Sequence, residues 1–310
     1  MPSADGEIAA IETIRRALPS PPKDEVWIGD DAAVVAVPQD GRLLLAADAV
    51  VEGVHFDLDL VDAADVGWKA LAVNVSDVAA MGGQPLQALV TVVGASASMI
   101  EGLARGLAEA GAAYDCAIVG GDLSAGPCLV VSVAITGTSA PRAPVLRGNA
   151  RPGDLLFVTG PLGRSAAGLR GLRSRAAGQG TVPDDLADAY RRPVARVAEG
   201  RAASSSGASA MIDVSDGLGI DLDRLASASG VGVVLEALPV APGATADDAL
   251  GGGEDYELVF AAGDLDAVMD SFAAAGLRLP IMIGACVNNP ATRRLGDEPL
   301  AATGWLHRLG

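Results

Sequence analysis

The residues of this chain best suited to chemistry are aspartates placed where apolar runs end. Asp30 and Asp31 follow VWIG, Asp48 follows LLLAA, Asp122 follows AIVGG, and Asp213 with Asp216 follow AMI. Strand ends in α/β folds are where ligand sites gather. Carboxylates converging there would repel one another unless cations bind between them. Mg²⁺ meets that need, because it takes carboxylate oxygens together with water and phosphate, so the pattern points to a polyphosphate substrate. An Asp after a strand also starts turns and caps helices, and each position taken alone carries that simpler reading. Four such places in one chain, three of them with an aspartate beside Gly or Ser, favour a site. Asp77 differs, since it lies in a helical stretch three residues after Asn74 and shares a face with it. Its plain alternative is a solvated helix position.

The elements that must position these residues can be read from apolar spacing. Ile8, Ile11, Ile14 and Leu18 predict a helix over 7–18, which Pro19 to Pro22 stop. Short apolar runs predict strands at EVWIG, AAVVAV and RLLLAA, a helix follows over 62–81, and QALVTVVGA is again a strand. Residues 99–113 are helical, and CAIVGG and CLVVSVAITG are strands. Ser139 to Pro152, rich in proline and arginine, is the expected boundary. Beyond it, DLLFVTG, SAMIDVS, GVVLEAL, YELVFAA and LPIMIGAC predict strands, with helices from Arg164, from about Asp184, and over 217–229 and 264–275. The fold class is therefore α/β of the α+β type, with mixed α/β domains at 1–140 and 141–310. Asn74-Val75-Ser76-Asp77 and Asp213-Val214-Ser215-Asp216 echo each other, four residues being too few for a duplication.

Composition excludes several classes. The chain has 310 residues, 39 acidic and 22 basic, for a formal charge of -17. Such a surplus argues against nucleic-acid partners, which need clustered Lys and Arg. Half of the residues are hydrophobic but only 3% aromatic, so the core is built from Ala, Val, Leu and Ile. Cys116, Cys128 and Cys286 form no C-x-x-C pair, consistent with reduced thiols and no zinc site. The N-terminal MPSADGEIAA lacks a signal-peptide pattern, and no apolar run reaches the roughly 18–20 residues of a membrane span. A soluble, cytoplasmic protein with no membrane partner is expected. No Gly-Lys dipeptide occurs, which excludes a P-loop, and Gly230-Val231-Gly232 follows a helix without a third glycine. Gly160-Pro161-Leu162-Gly163 could cradle a phosphate at a helix N-terminus or be an ordinary turn. The two histidines, His55 and His307, have no G-x-S-x-G elbow beside them.

Taken in order, WIGDDAAV (27–34), LLLAADAVVEGVHF (43–56), VGWKALAVNVSDVAAMGG (66–83), AIVGGDLS (117–124), IDVSDGLGIDL (212–222) and GGGEDYELVF (251–260) closely resemble the thiamine-monophosphate kinase family. The likeness runs from the N-terminal helix to GWLHRL. That family belongs to a superfamily with aminoimidazole ribonucleotide synthetase, selenophosphate synthetase and a hydrogenase-maturation protein. His55-Phe56, Glu254-Asp255 and Gly304-Trp305 favour the thiamine branch. Residues 1–25 lack the reactive Cys of a selenophosphate synthetase, and the chain ends in Leu309-Gly310 rather than a Cys-bearing tail.

The resemblance implies an aminoimidazole ribonucleotide synthetase-like N-terminal domain, a C-terminal α/β sandwich, and a homodimer formed by the N-terminal domains. It implies that Asp31, Asp48, Asp77, Asp122 and Asp213 hold several Mg²⁺ ions around the phosphates, with Asp216 binding a further ion. Asp48, Asp77 and Asp122 would stand at the centre of catalysis. Gly121, Asp122, Arg147 and Ser215 would contact the co-substrate ATP, Tyr114 would lie at the base, and His55, Glu254 and Trp305 would hold thiamine monophosphate. The implied reaction is direct in-line phosphorylation to thiamine diphosphate.

One departure stands out: Ala46 and Ala47 occupy positions where the family usually has Ser or Thr before the aspartate. Hydroxyls that could ligate metal are absent there, and an altered Mg²⁺ requirement with retained activity is expected. Two alternatives remain at this point, a sibling ligase-type activity on the same scaffold and a non-catalytic nucleotide or thiamine-phosphate binding protein.

Overall fold

A computed structural model describes residues 4–23, 25 and 42–306. Asp30, Asp31, His307 and nearly all of the two strands predicted at EVWIG and AAVVAV lie outside the described residues. The chain separates into two compact units. The first takes the described residues up to Val78 and Pro85–Thr138, and the second takes Ala79–Gln84 and the residues from Ser139 onward.

In the first unit the proline-stopped helix is α1 (Ala4–Ala17). The RLLLAA strand is longer than predicted, β1 (Leu43–Val51), and α2 (Ala63–Ala80), β2 (Gln84–Val93), α3 (Ala97–Tyr114), β3 (Ala117–Ser124) and β4 (Val130–Thr138) follow. The sheet runs β1-β4-β2-β3, with β1 antiparallel to β4 and β2 parallel to β3, so among the described residues β1 and β3 are its edges. Alternation sorts its two faces. Val50, Val131, Val133, Ile135, Ala88, Val90 and Val92 are buried on one. On the other, Leu43, Leu45 and Ala47 pair with Thr138, Thr136 and Ala134, and Leu45 is 73% exposed.

The second unit is built on β5 (Leu155–Val158), β6 (Ala210–Asp213), β7 (Gly232–Leu235), β8 (Leu258–Ala262), β9 (Ile281–Val287), β10 (Arg293–Leu295) and β11 (Glu298–Pro299). The sheet order is β11-β10-β7-β9-β5-β8-β6, and its helices are α4 (Arg164–Ala176), α5 (Asp184–Arg191), α6 (Val197–Ser205), α7 (Leu218–Ser229), α8 (Ala246–Gly251) and α9 (Leu265–Ala274). Both faces of the central strands are buried. Leu156, Val158, Ile212 and Val259 join Leu218, Leu222 and Leu225 of α7 on one side. Phe157, Met211, Leu258 and Phe260 join Phe272 of α9 on the other. The Phe157, Phe260 and Phe272 rings stack at 5.1 and 5.9 Å. Two-sided burial is why these strands read as unbroken apolar runs.

The NVSD and DVSD echo falls on different local structures, the first within α2 and the second at the end of β6 and the loop after it. The echo therefore does not reflect a repeated element. Burial pushes the thiols of Cys116 and Cys286 up to about 12, where they are unreactive. Among the described residues no helix is long and apolar enough to cross a membrane.

Candidate active site

In the first unit, the register Asp48↔Val133 sets Asp48 on the face that the helices cover. There α2 meets it: the fully buried Asn74 accepts a hydrogen bond at Oδ1 from the Asp48 N–H, 2.8 Å, and donates through Nδ2 to the Ala70 carbonyl, 2.9 Å. Asp77, three residues further along α2, is half-buried on the same side of the helix. Asp48 and Asp77 are thus brought to one place. Asp122 is not brought there. It lies on the opposite edge strand, paired in register with Thr91, so it opens on the other face of the sheet. Ser124 Oγ donates to Asp122 Oδ2, 2.8 Å, and Gly121 is required before it because a Cβ there would sit 1.8 Å from the Val90 carbonyl oxygen.

His55 closes the turn after β1. Its Nδ1 accepts from the Val51 N–H, 3.0 Å, its own N–H donates to the Val51 carbonyl, and Lys69 Nζ donates to the His55 carbonyl, 3.0 Å. Lys69 is 2% exposed, so one of the chain's two lysines is used to hold this turn from inside. Tyr114 ends α3 with its ring tilted against Trp68 at 5.8 Å and only 8% exposed. It is a core side chain, because the last turn of α3 turns its apolar face inward.

In the second unit three segments meet around the end of β6. Asp213 is the last residue of that strand, buried and in register with Leu258. The Glu254 N–H donates to the Ser215 carbonyl, 2.7 Å, the Tyr256 N–H to the Val214 carbonyl, 2.9 Å, and the Trp305 N–H to the Asp216 carbonyl, 2.9 Å. Ser215, Asp216, Glu254 and Trp305 are therefore neighbours along the backbone, with Trp305 52% exposed. Gly304 makes that docking possible, since a Cβ would stand 2.3 Å from Ile220 Cγ2 and 2.7 Å from the Asp216 carbonyl oxygen. Glu254 and Tyr256 are held at φ of 57° and 51°, a left-handed backbone that non-glycine residues seldom adopt. Arg147 is placed elsewhere. Its carbonyl accepts from Ser229 Oγ, 3.0 Å, at the C-terminal end of α7, about 18 Å along that helix from the Asp216 loop.

Several residues that matter here escaped the motif reading. Asp221, fully buried, accepts at Oδ2 from the N–H groups of Ser215, Asp216 and Gly217 at 3.1, 2.9 and 3.1 Å. Arg224 Nη1 donates to Asp221 Oδ1, 2.7 Å, and to Asp216 Oδ2, 2.5 Å. Asp255, grouped with Glu254 around substrate by the resemblance, instead accepts from the N–H of Gly163, 2.5 Å, and of Ser165, 3.1 Å, at the start of α4. Burial raises its carboxyl to about 6, and the charge of Glu257 adds to the rise. Glu257 is itself buried and accepts from Arg196 Nε at 3.1 Å and Nη2 at 2.6 Å, and from Thr159 Oγ1 at 2.5 Å. The spacing Asp216-x₄-Asp221-x₂-Arg224 was the available signal for the first group. The arginines of α4 are likewise accounted for in part, Arg164 pairing with Asp185 and Arg170 with Asp248.

Among the described residues no three His, Cys, Asp or Glu side chains form a group that could hold a metal ion. The expected cluster is thus represented by Asp48 with Asp77, by Asp122 and by Asp213, while Asp31 lies outside the described residues.

Residues 29–139 match the family AIR synthase related protein, N-terminal domain, and residues 151–292 match AIR synthase related protein, C-terminal domain. Thiamine-monophosphate kinase of Mycobacterium tuberculosis (strain H37Rv) is 37% identical over 97% of this chain and 91% of its own. That of Bacillus subtilis (strain 168) is 37% identical over 83% of each. Among solved structures, thiamine-monophosphate kinase from Stenotrophomonas maltophilia K279a superposes with a TM-score of 0.80 at 31% identity, over 96% of this chain and 97% of that one. AaThiL complexed with AMPPCP and TMP gives 0.77 at 32% identity over 99% of both. The Escherichia coli hydrogenase maturation protein HypE, 19% identical with a TM-score of 0.74 over 99% of this chain and 98% of its own, shares the fold. With more than a third of its positions identical along nearly the full length of an enzyme of that kind, the chain belongs to the thiamine-monophosphate kinase family.

Proposed function

We propose that this protein transfers the γ-phosphoryl group of ATP to the phosphate of thiamine monophosphate. An oxygen of the acceptor phosphate forms the new bond to phosphorus, the bond to the bridging β,γ-oxygen breaks, and ADP leaves. The observation that carries this reading is the full-length likeness to thiamine-monophosphate kinases of known structure, with the family's acidic motifs present in both units. No side-chain nucleophile is needed, because phosphoryl transfer rests on positioning and charge neutralisation.

Mg²⁺, when bound, would offset the phosphate charge and polarise the transferred group. The donor set fits it, being carboxylate oxygens of Asp48, Asp77, Asp122 and Asp213, to which we add Asp31. Each ion would take carboxylate oxygens from this set, with phosphate oxygens and water for the rest. Asn74 fixes where Asp48 stands. We assign His55, whose Nδ1 accepts from the Val51 N–H, to thiamine monophosphate. We assign Gly121 and Ser215 to the nucleotide, and Glu254 and Trp305 to thiamine monophosphate. An exposed indole attracts a cationic heterocycle by about 0.5–2 kcal/mol. Tyr114 and Arg147 are left out of this assignment, the first for its burial and the second for its place at the far end of α7.

The open face of the first sheet supports a homodimer, since Leu43, Leu45 and Leu89 expose apolar surface that a second copy could cover. Asp122 opens on the same face, so dimerisation would also shape its surroundings. Both substrates are cytoplasmic metabolites, and the reading places the protein there, with no nucleic-acid partner.

The test is direct. Purified protein with ATP, Mg²⁺ and thiamine monophosphate should yield thiamine diphosphate and ADP in equal amounts, and Asp77→Asn should abolish turnover with the melting temperature retained. Binding of both substrates without ADP would reject the kinase reading, and full activity of Asp77→Asn would remove that residue from the site.

A further inference from the structure

We infer that Arg224 is a built-in counter-cation for Asp216, so that Asp216 shapes the Ser215–Gly217 turn instead of ligating a divalent ion. The inference rests on the metal-dependent kinase reading above and concerns how this chain distributes charge within it.

Asp221 is the centre of the arrangement. It is fully buried, and one of its oxygens gathers three consecutive N–H groups from Ser215 to Gly217. Burial pushes its carboxyl up, while the backbone N–H of Asp216 and the charge of Arg224 pull it back. Its second oxygen is held by Arg224 Nη1 at 2.7 Å. The same nitrogen lies 2.5 Å from Asp216 Oδ2, so a single guanidinium is shared by both carboxylates. Such charge-assisted bonds are short and strong. A divalent cation on that Asp216 oxygen would stand beside the guanidinium, where like charges repel. Arg224 cannot swing away without taking a charged donor from the buried Asp221, and an unbalanced buried charge is costly. The turn that carries Ser215 therefore keeps its shape through an arginine already in place.

Mn²⁺, counted by electron paramagnetic resonance with the full-length protein and a non-hydrolysable ATP analogue, tests this. Wild type and Asp216→Asn should bind the same number of Mn²⁺ ions. Arg224→Met should gain one ion, or bind its weakest ion at least tenfold more tightly, and Arg224→Met with Asp216→Asn together should lose that gain. A count lower by one in Asp216→Asn alone would overturn the inference, as would the absence of any gain in folded Arg224→Met. Should Arg224→Met fail to fold, the Asp216→Asn count decides by itself. No Mn²⁺ or nucleotide binding by wild type would reject the kinase reading and the inference with it, whereas a changed count with nucleotide still bound would reject the inference alone.

Discussion

Asn74 Oδ1 lies 2.8 Å from the backbone nitrogen of Asp48, so the first helix after the β1 turn is tied to the edge strand at the residue assigned to the phosphates. The amide does two tasks at once, because its Nδ2 also returns to the Ala70 carbonyl of its own helix. Asn74→Ala removes both bonds from a fully buried position. The expected cost is about 1–3 kcal/mol of stability, since the freed polar groups lose their partner. Turnover should fall by roughly tenfold or more as Asp48 loses its fixed place. Denaturant unfolding and kcat measured on the same samples check this. Unchanged kcat in a destabilised variant would show that the Asn74 bond serves folding only.

The open face of the first sheet leads to a second expectation. Leu45 is 73% exposed at the edge strand and points away from the helices. Leu45→Glu should convert a dimer to a monomer in light scattering coupled to size-exclusion chromatography, with the fold of the monomer retained. A wild-type protein that runs as a monomer at all concentrations would remove the dimer from the reading.

Asp255 predicts a pH dependence whose sign follows from its environment. Its carboxyl is raised from 3.8 to about 6, first by burial and then by the charge of Glu257. A raised carboxyl binds its proton more tightly in the folded state than in the unfolded one. Its contribution to stability is therefore fullest below pH of about 4 and declines as pH climbs to about 6. Asp255→Asn removes the titration while keeping one acceptor for the start of α4. The difference in unfolding free energy between the two proteins should change across that window and level off above it. A flat difference from pH 4 to 7 would show that the carboxyl is not raised.

Much of this protein was legible from local pattern. The helix over 62–81 and the strands through Phe157 and Phe260 announce themselves because burial imposes a period on one and an unbroken apolar run on the other. The pairing of Asn74 with Asp77 on one helix face follows from spacing alone. By contrast α8, β10 and β11 went unseen. The last two are three and two residues long, and β10 exists as a strand because Arg293–Leu295 lies parallel to Val233–Leu235. The sequence RRL has no strand signature of its own.

What the sequence determined by itself was the order of elements, the apolar faces and the inventory of carboxylates, all of which depend on near neighbours in the chain. The tertiary structure decided what surrounds each of those carboxylates. Asp255 became a helix cap through bonds to Gly163 and Ser165, some 90 residues away. Asp216 acquired an arginine, Tyr114 went into the core, and Asp122 turned to the face opposite Asp48. A carboxylate's role is set by what surrounds it in space, through desolvation and the nearest opposite charge, and those partners come from parts of the chain that no local pattern brings together.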